Sequence, residues 1–199
     1  MSSLQKQYWN ERFKENADYT PLNEIFFDTM VYPLLHLSSQ PECFDISCGS
    51  GQALELLASR GFIIDGCDIS SVALQKASDR LQGKSRELLE IDLNDENFTF
   101  PNKTYDLVLL KLVFAFVDTD KRISVLKKIC DLLKEDGTFL IISPVTYADV
   151  VYRNPKIEKI SVNEDELFSS LQEVFGIVQK IHTDFQQEQW ALAYFLCKK

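Results

Sequence analysis

Apolar residues along this chain alternate between short continuous runs and the three-and-four spacing of amphipathic helices. The strand-length runs lie at residues 43–46, 62–67, 88–93, 105–110 and 137–142. Between them, residues 52–60, 71–81 and 120–134 carry apolar side chains at helical spacing. Runs of strand length that alternate with helices predict a parallel sheet covered by helices on both faces.

The end of the chain predicts a different pairing. Residues 164–174 have a helical pattern, and two further strands are expected at 176–183 and 189–197, close enough in sequence to pair as an antiparallel hairpin. The fold expected is therefore α/β, with a doubly wound, mostly parallel sheet of about seven strands and a C-terminal antiparallel hairpin.

A glycine-rich turn follows the first run. Asp45 is the acidic residue near the end of that run, Gly49 and Gly51 form the turn, and Asp68 ends the second run. Glycine lets backbone amides approach a ligand because it has no Cβ, and a carboxylate at the tip of the second strand can accept hydrogen bonds from a ribose diol. The unit predicts a site for an adenosine-containing cofactor. Asp65, inside the second run, is expected to face solvent.

Two cofactors fit such a unit. A nicotinamide fingerprint requires a third glycine, where this chain has Leu54, and Glu55 would repel a pyrophosphate at the start of the helix. S-adenosylmethionine has no phosphate and carries cationic groups that Asp45 suits. An NAD(P)-dependent oxidoreductase remains the alternative from another class.

The chain resembles the class I S-adenosylmethionine-dependent methyltransferases, whose first motif reads acidic-x-Gly-x-Gly-x-Gly. The resemblance follows residues 8–145 in order. It implies a Rossmann-like fold and methyl transfer from S-adenosylmethionine to a small-molecule acceptor by in-line displacement. Ser47 departs from the motif, which has glycine there, so this residue must avoid positive φ or accept strain. That departure keeps open a second alternative, a non-catalytic cofactor-binding interaction protein.

The same resemblance assigns cofactor contacts. In it, Asp45 holds the amides of the turn or reaches the methionine ammonium, and Asp68 holds the ribose. Asp92 accepts from the adenine amino group, a role for which Asp95 is the competitor that the resemblance disfavours. Its full set of cofactor-binding positions is Tyr8, Arg12, Asp45, Gly49, Gly51, Asp68, Ile69, Asp92, Leu93 and Lys111. Tyr8 or Arg12 would approach the cofactor carboxylate from an N-terminal helix that covers the site, and Lys111 would contribute its backbone carbonyl.

The segment after the fourth run normally faces the methyl group in this family. Residues 110–116 lack the D/N-P-P-Y/F/W motif of enzymes that methylate DNA bases, and they lack a histidine near Ala115. Lys111 is the ionisable side chain of this window and is the candidate catalytic residue, as a base or as an anchor for an anionic substrate. Phe114, Tyr147 and Tyr152 are the candidate substrate contacts.

One domain spans residues 1–199, with a helical lid at 1–38, a cofactor-binding core at 39–145 and a substrate-side segment with closing strands at 146–199. A net charge of −9 argues against nucleic acid as a partner. The five cysteines lack a C-x-x-C pair and predict reduced thiols in the cytoplasm. No metal spacing and no membrane segment are found, and we expect a monomer or homodimer acting on a small molecule.

Overall fold

The computed structural model describes residues 4–15, 21–146, 162–187 and 190–199. Within these ranges the strands form a single seven-stranded sheet in the order β3-β2-β1-β4-β5-β7-β6. The strands are β1 Glu42–Ile46, β2 Ile63–Asp68, β3 Ser85–Glu90, β4 Tyr105–Lys111, β5 Leu133–Thr146, β6 Ile177–Gln187 and β7 Trp190–Lys198. Strands β1 to β5 pair in parallel, whereas β7 is antiparallel to both β5 and β6. The predicted fold, including its closing hairpin, is confirmed.

Two helices precede β1, and the other helices lie between strands. They are α1 Leu4–Lys14, α2 Glu24–Phe26 with the π and 3-10 turns Phe27–Val31 and Tyr32–Leu34, α3 Gln52–Ser59, α4 Ser71–Leu81, α5 Arg122–Asp131 and α6 Glu164–Val174. Short 3-10 turns at Phe114–Phe116 and Thr119–Lys121 precede α5. The helix predicted for 120–134 ends earlier because Leu133 already pairs with Tyr105 in the sheet.

Apolar layers cover both faces of the central strands. On one face Phe44 and Val108 pack with residues of α5 and α6, while on the other Cys43 and Leu107 pack with α3 and with Phe27 and Val31 of the 24–34 segment. Alternate side chains of one strand thus enter opposite cores, as a doubly wound sheet requires. Within the described residues, no helix is long and apolar enough to cross a membrane.

Asp65 corrects an expectation, because its side chain is fully buried and does not face solvent. Arg86 Nη2 lies 2.6 Å from its Oδ2, the Tyr105 hydroxyl donates to the same oxygen at 3.1 Å, and the Glu87 amide donates to Oδ1 at 3.0 Å. Strand β2 lies inside the sheet, between β1 and β3. Both faces of β2 are covered by other parts of the protein, so the side chain of Asp65 does not reach solvent, whichever face it lies on.

The strand order reverses between β1 and β4, since the chain proceeds from β1 to β2 on one side and places β4 on the other. Ligands of open α/β sheets bind at the carboxyl ends of the two strands that flank such a point. Each of these strands is followed by a non-glycine residue in the left-handed region, Ser47 at φ 62° and Leu112 at φ 66°. Two strained turns therefore stand side by side at the expected site.

Candidate functional site

The glycine turn is fastened to the tip of β2 by backbone amides. Cys48 N donates to Cys67 O at 2.9 Å, and Gly49 N donates to Asp68 Oδ2 at 2.9 Å. Gly49 and Gly51 adopt positive φ angles of 55° and 81°. The two positions that the sequence singled out as a turn and a strand-end carboxylate are thus directly bonded.

Asp68 is buried and already has partners on both carboxylate oxygens. Besides Gly49 N, the Ser70 amide donates to its Oδ1 at 2.8 Å. Burial raises the pKa of Asp68 to about 6, and the hydrogen bonds from backbone amides oppose that rise. Each carboxylate oxygen can accept more than one hydrogen bond, so the two backbone contacts leave acceptor capacity on Asp68. The helix α4 has its own N-cap, because Ser70 Oγ accepts from Ala73 N at 3.1 Å.

The glycines also permit close packing inside the protein. A Cβ on Gly51 would lie 3.1 Å from Ala77 Cβ of α4, and one on Gly49 would lie 3.4 Å from Phe13 Cζ of α1. Gly51 therefore allows α4 to approach the turn, whereas a Cβ on Gly49 would make only an ordinary contact with α1, and the positive φ is what favours glycine there. The packing and backbone conformation of the turn therefore favour glycine at these positions, whether or not a ligand is bound there.

Asp45 and Lys111 lie near the tips of β1 and β4, close enough for each to affect the pKa of the other. Asp45 is 2% exposed. Burial raises its pKa to about 8; the charge of Lys111 works against the rise and the charge of Asp68 adds to it. Burial in turn lowers the pKa of Lys111, and the charge of Asp45 opposes that change. A cation that arrives beside Asp45 would favour its ionised form.

The turn after β3 carries the predicted adenine contacts. Ile91 N donates to Asp68 O at 3.0 Å, which holds the start of this turn against the tip of β2. Asp92 Oδ1 accepts from Asn94 N at 3.0 Å, an Asx turn that orients the carboxylate. Asp92 and Leu93 are half-buried, as is Ile69 beside Asp68 at the tip of β2. The structure therefore brings the Asp68 and Asp92 turns together along one edge of the sheet.

Helix α1 lies across these turns. Phe13 packs on Gly49, Lys6 forms an ion pair with Glu90 at the end of β3, and Asn10 Oδ1 accepts from Ser70 Oγ at 2.8 Å. Tyr8 stacks edge-on against Trp9 at 5.2 Å between ring centroids, and Arg12, whose side chain is 43% exposed, pairs with Glu15 at 3.8 Å. The helix thus touches the segments predicted to hold the cofactor.

Sequence reasoning missed three polar residues that join these segments. Gln5, Asn10 and Asn94 each make side-chain hydrogen bonds to a distant part of the chain. None of them belongs to a motif, and their partners are mostly backbone atoms. The one sequence feature that could have indicated these contacts is the helical spacing of Trp9 and Phe13, which places both on one face of α1.

The predicted substrate side is only partly described. Phe114 is buried, and the Arg122 guanidinium lies over its ring at 5.5 Å from the centroid. Both line a cavity of about 500 Å³, together with Val162 and Glu166, between the start of α5 and the start of α6. Tyr147 and Tyr152 lie outside the described residues. Among the residues that are described, no cluster of His, Cys, Asp and Glu could hold a metal ion.

Comparison with known proteins places this geometry in a family. Residues 44–141, about half of the chain, match the family model described as a methyltransferase domain. The fold superposes on the DhpI-SAM-HEP complex with a TM-score of 0.73 at 17% identity, covering 98% of this chain and 96% of that one. Residues 44–141 belong to the methyltransferase-domain family. A methyltransferase of Clostridium acetobutylicum has the same fold, with a TM-score of 0.68 at 16% identity and 96% coverage of both chains.

Sequence relatives of this family member come from plants. Thiocyanate methyltransferase 1 of Brassica oleracea is 28% identical over 134 residues, which are 65% of this chain and 59% of the relative. The protein of the same name from Arabidopsis thaliana is 25% identical over 142 residues, 69% of this chain and 62% of the relative. The chain therefore matches about three fifths of the length of these curated relatives.

Proposed function

We propose that this family member transfers the methyl group of S-adenosylmethionine to a small-molecule acceptor. The observation that carries the proposal is the Gly49–Asp68 hydrogen bond at the switch point of the sheet. It joins a glycine turn to a strand-end carboxylate, which suits an adenosine moiety. Two structures of the same fold, the DhpI-SAH complex and a magnesium protoporphyrin IX methyltransferase of Synechocystis PCC 6803 with bound SAM, hold these molecules, and this supports the same cofactor here.

The charges along the carboxyl edge favour this cofactor over a dinucleotide. Asp68 and Asp92 present carboxylate acceptors where a pyrophosphate would be repelled, and Asp45 is favoured in its ionised form when a cation lies beside it. We assign Asp68 and Ile69 to the ribose, Asp92 and the Leu93 amide to the adenine, and Asp45 with the Lys111 carbonyl to the methionine ammonium. Tyr8 and Arg12 of α1 are assigned to the methionine carboxylate. Gly49 and Gly51 let the backbone of the turn pass close to the cofactor.

The chain's own contribution is then mainly binding and alignment. The bound cofactor supplies an activated methyl group on a sulfonium. The protein holds the acceptor in line with the bond to that methyl, and alignment of this kind lowers a barrier by roughly 7–11 kcal/mol. Helix α1, which packs on Gly49 and Ser70, serves as the lid that excludes water. The lid role falls to α1, because Phe27 and Val31 of the 24–34 segment belong to the core.

The acceptor we propose is a small anionic or readily ionised nucleophile. Lys111 places a partly buried positive charge at the end of β4, the segment that faces the methyl group in this family. The plant relatives are named for thiocyanate, an anion. Such an acceptor needs no general base, which suits a segment that offers Lys111 and no histidine. Phe114, Tyr147 and Tyr152 remain the proposed contacts for the rest of the acceptor.

Transfer of labelled methyl from S-adenosylmethionine tests this directly. We expect turnover with thiocyanate, hydrosulfide or a small thiol, and little with neutral amines. Lys111→Met should raise the KM for the anionic acceptor by about tenfold or more through loss of one charged contact, while Lys111→Arg retains most of the affinity. Turnover confined to neutral amines, or unchanged in Lys111→Met, would contradict the anionic acceptor. Binding without turnover of any acceptor would favour the non-catalytic alternative.

We further propose a cytoplasmic protein that acts as a monomer or homodimer. The five cysteines are free, and four of them are buried, which supports a reducing compartment. Sedimentation of the purified chain distinguishes the two assembly states.

A further inference from the structure

The backbone carbonyl of Phe116 is a meeting point of three segments. Gln5 Nε2 of α1 donates to it at 3.1 Å, and Asn94 Nδ2 of the turn after β3 donates to it at 2.9 Å. The Phe116 ring also packs edge-on against Trp9 of α1, at 5.2 Å between centroids. The lid, the proposed adenine turn and the segment after β4 are therefore bonded at one place.

Asn94 makes most of this connection. Its Nδ2 donates to Phe116 O, and its Oδ1 accepts from Asp118 N at 2.8 Å. Its own backbone amide donates to Asp92 Oδ1 at 3.0 Å, and its carbonyl accepts from Lys121 Nζ at 2.6 Å. One half-buried residue thus fixes residues 116–118 to the carboxylate that we assign to adenine.

The orientation of the Asn94 amide follows from its partners. Phe116 O can only accept a hydrogen bond and Asp118 N can only donate one. Nδ2 must therefore face Phe116 and Oδ1 must face Asp118. A carboxylate at this position would keep the contact with Asp118 and lose the donor to Phe116, and an alanine would lose both contacts.

We propose that Asn94 is a positioning residue that couples occupation of the adenine turn to the geometry of residues 114–118, which face the acceptor. The proposal rests on the proposed function. A ligand amino group on Asp92 would order the Asx turn that also contains the Asn94 backbone, and the Asn94 side chain would pass that order to Phe116 and Asp118. Coupling of this kind requires a ligand that favours one arrangement of the linked segments over the other. Its consequence is that the cofactor prepares the acceptor side before the acceptor binds.

Amide hydrogen exchange measured by NMR tests the coupling on the intact chain. The probe ligand is S-adenosylhomocysteine, and the reporter is the Asp118 amide, which donates to Asn94 Oδ1. In wild type we expect saturating ligand to slow exchange at Asp118 by about 3- to 10-fold, the range of one hydrogen bond. In Asn94→Ala the ligand should still bind, with exchange at Asp118 fast and unresponsive. Asn94→Asp should restore part of the protection, because it keeps the acceptor.

Asn97→Ala is the matched control, since Asn97 lies in the next turn along the chain and has an exposed side chain. It should respond to ligand as wild type does, and the Leu126 amide in α5 should be unaffected in every variant. If Asp118 responds equally in wild type and Asn94→Ala, or in neither while the ligand binds, the coupling is wrong and the proposed function stands. If wild type does not bind S-adenosylhomocysteine, the proposed function fails and the coupling fails with it.

Discussion

Gly49 N and Asp68 Oδ2 are 2.9 Å apart, so the glycine turn and the tip of β2 are held together by the protein's own atoms. The Ser70 amide occupies the other oxygen of the same carboxylate. Asp68 therefore organises the turn, and in the proposed function it also binds the ribose. Its removal would disturb both roles, so the two are separated better by changing the ligand than by changing the protein.

Deleting one ribose hydroxyl should weaken binding in a way that depends on Asp68. We expect the 2′-deoxy analogue of S-adenosylhomocysteine to bind wild type about 10- to 100-fold more weakly than the parent compound, because a hydrogen bond to a charged group is worth roughly 1.5–3 kcal/mol. In Asp68→Ala the two compounds should bind alike. Calorimetric titration of both ligands into both proteins measures the difference. Equal affinities in wild type would show that Asp68 does not hold the ribose.

Asp45 should make stability fall as pH rises. Its folded pKa of about 8 lies above the ordinary value of 3.8, so between these values the unfolded chain has lost the proton that the folded chain keeps. This contribution to the free energy of unfolding therefore decreases from about pH 4 to about pH 8 and is constant above that. Asp45→Asn removes the dependence and should raise the melting temperature more at pH 8 than at pH 4. An equal gain at both pH values would contradict the raised pKa.

Ser47 should be replaceable by glycine with a gain in stability. Its φ of 62° lies in the left-handed region, which costs a non-glycine residue about 1–2 kcal/mol. We expect Ser47→Gly to raise the free energy of unfolding by about 1 kcal/mol after the greater entropy of the unfolded glycine chain is included. Ser78→Gly, at an exposed position inside α4, is the control and should lower it by about 0.5 kcal/mol. Denaturant unfolding that shows losses in both variants would argue against strain at Ser47.

The buried Asp65 should matter for stability and not for binding. Asp65→Asn removes the charge that pairs with Arg86, at 2.6 Å from Oδ2. We expect a loss of about 2–3 kcal/mol, less than the roughly 3–5 kcal/mol of a fully buried pair, because the Arg86 side chain is 36% exposed. The control Glu173→Gln, whose pair with Lys127 is 4.0 Å apart and well exposed, should change the free energy of unfolding by less than about 0.5 kcal/mol. Equal losses in the two variants would contradict this.

Much of the fold was predictable because local pattern and burial agree. Strands β1 and β4 are rich in apolar residues, Gly49 and Gly51 form the expected turn, and Ser70 caps α4 as its position before an apolar helical face suggests. The ordered succession of runs, with Asp45 and Asp68 at their ends, gave the family and the proposed cofactor positions.

Contacts between distant segments were not predictable. The burial of Asp65 depends on Arg86 and Tyr105, which come from two other strands. The Asn94 bridge to Phe116 joins a side chain to a backbone carbonyl, and any residue type could supply that carbonyl. The φ angle of Ser47 was not predictable for the same reason. The sequence around Ser47 is compatible with an ordinary or a strained φ, and the folded turn determines which one is adopted.

The central claim is that the site at the switch point binds S-adenosylmethionine. Calorimetric titration of wild type with S-adenosylmethionine and S-adenosylhomocysteine, beside NADH and NADPH, tests it most directly. We expect binding of both sulfur compounds with dissociation constants in the micromolar range or below, and none of either nicotinamide. Binding of NADH or NADPH alone would overturn the methyltransferase function and leave the fold as described.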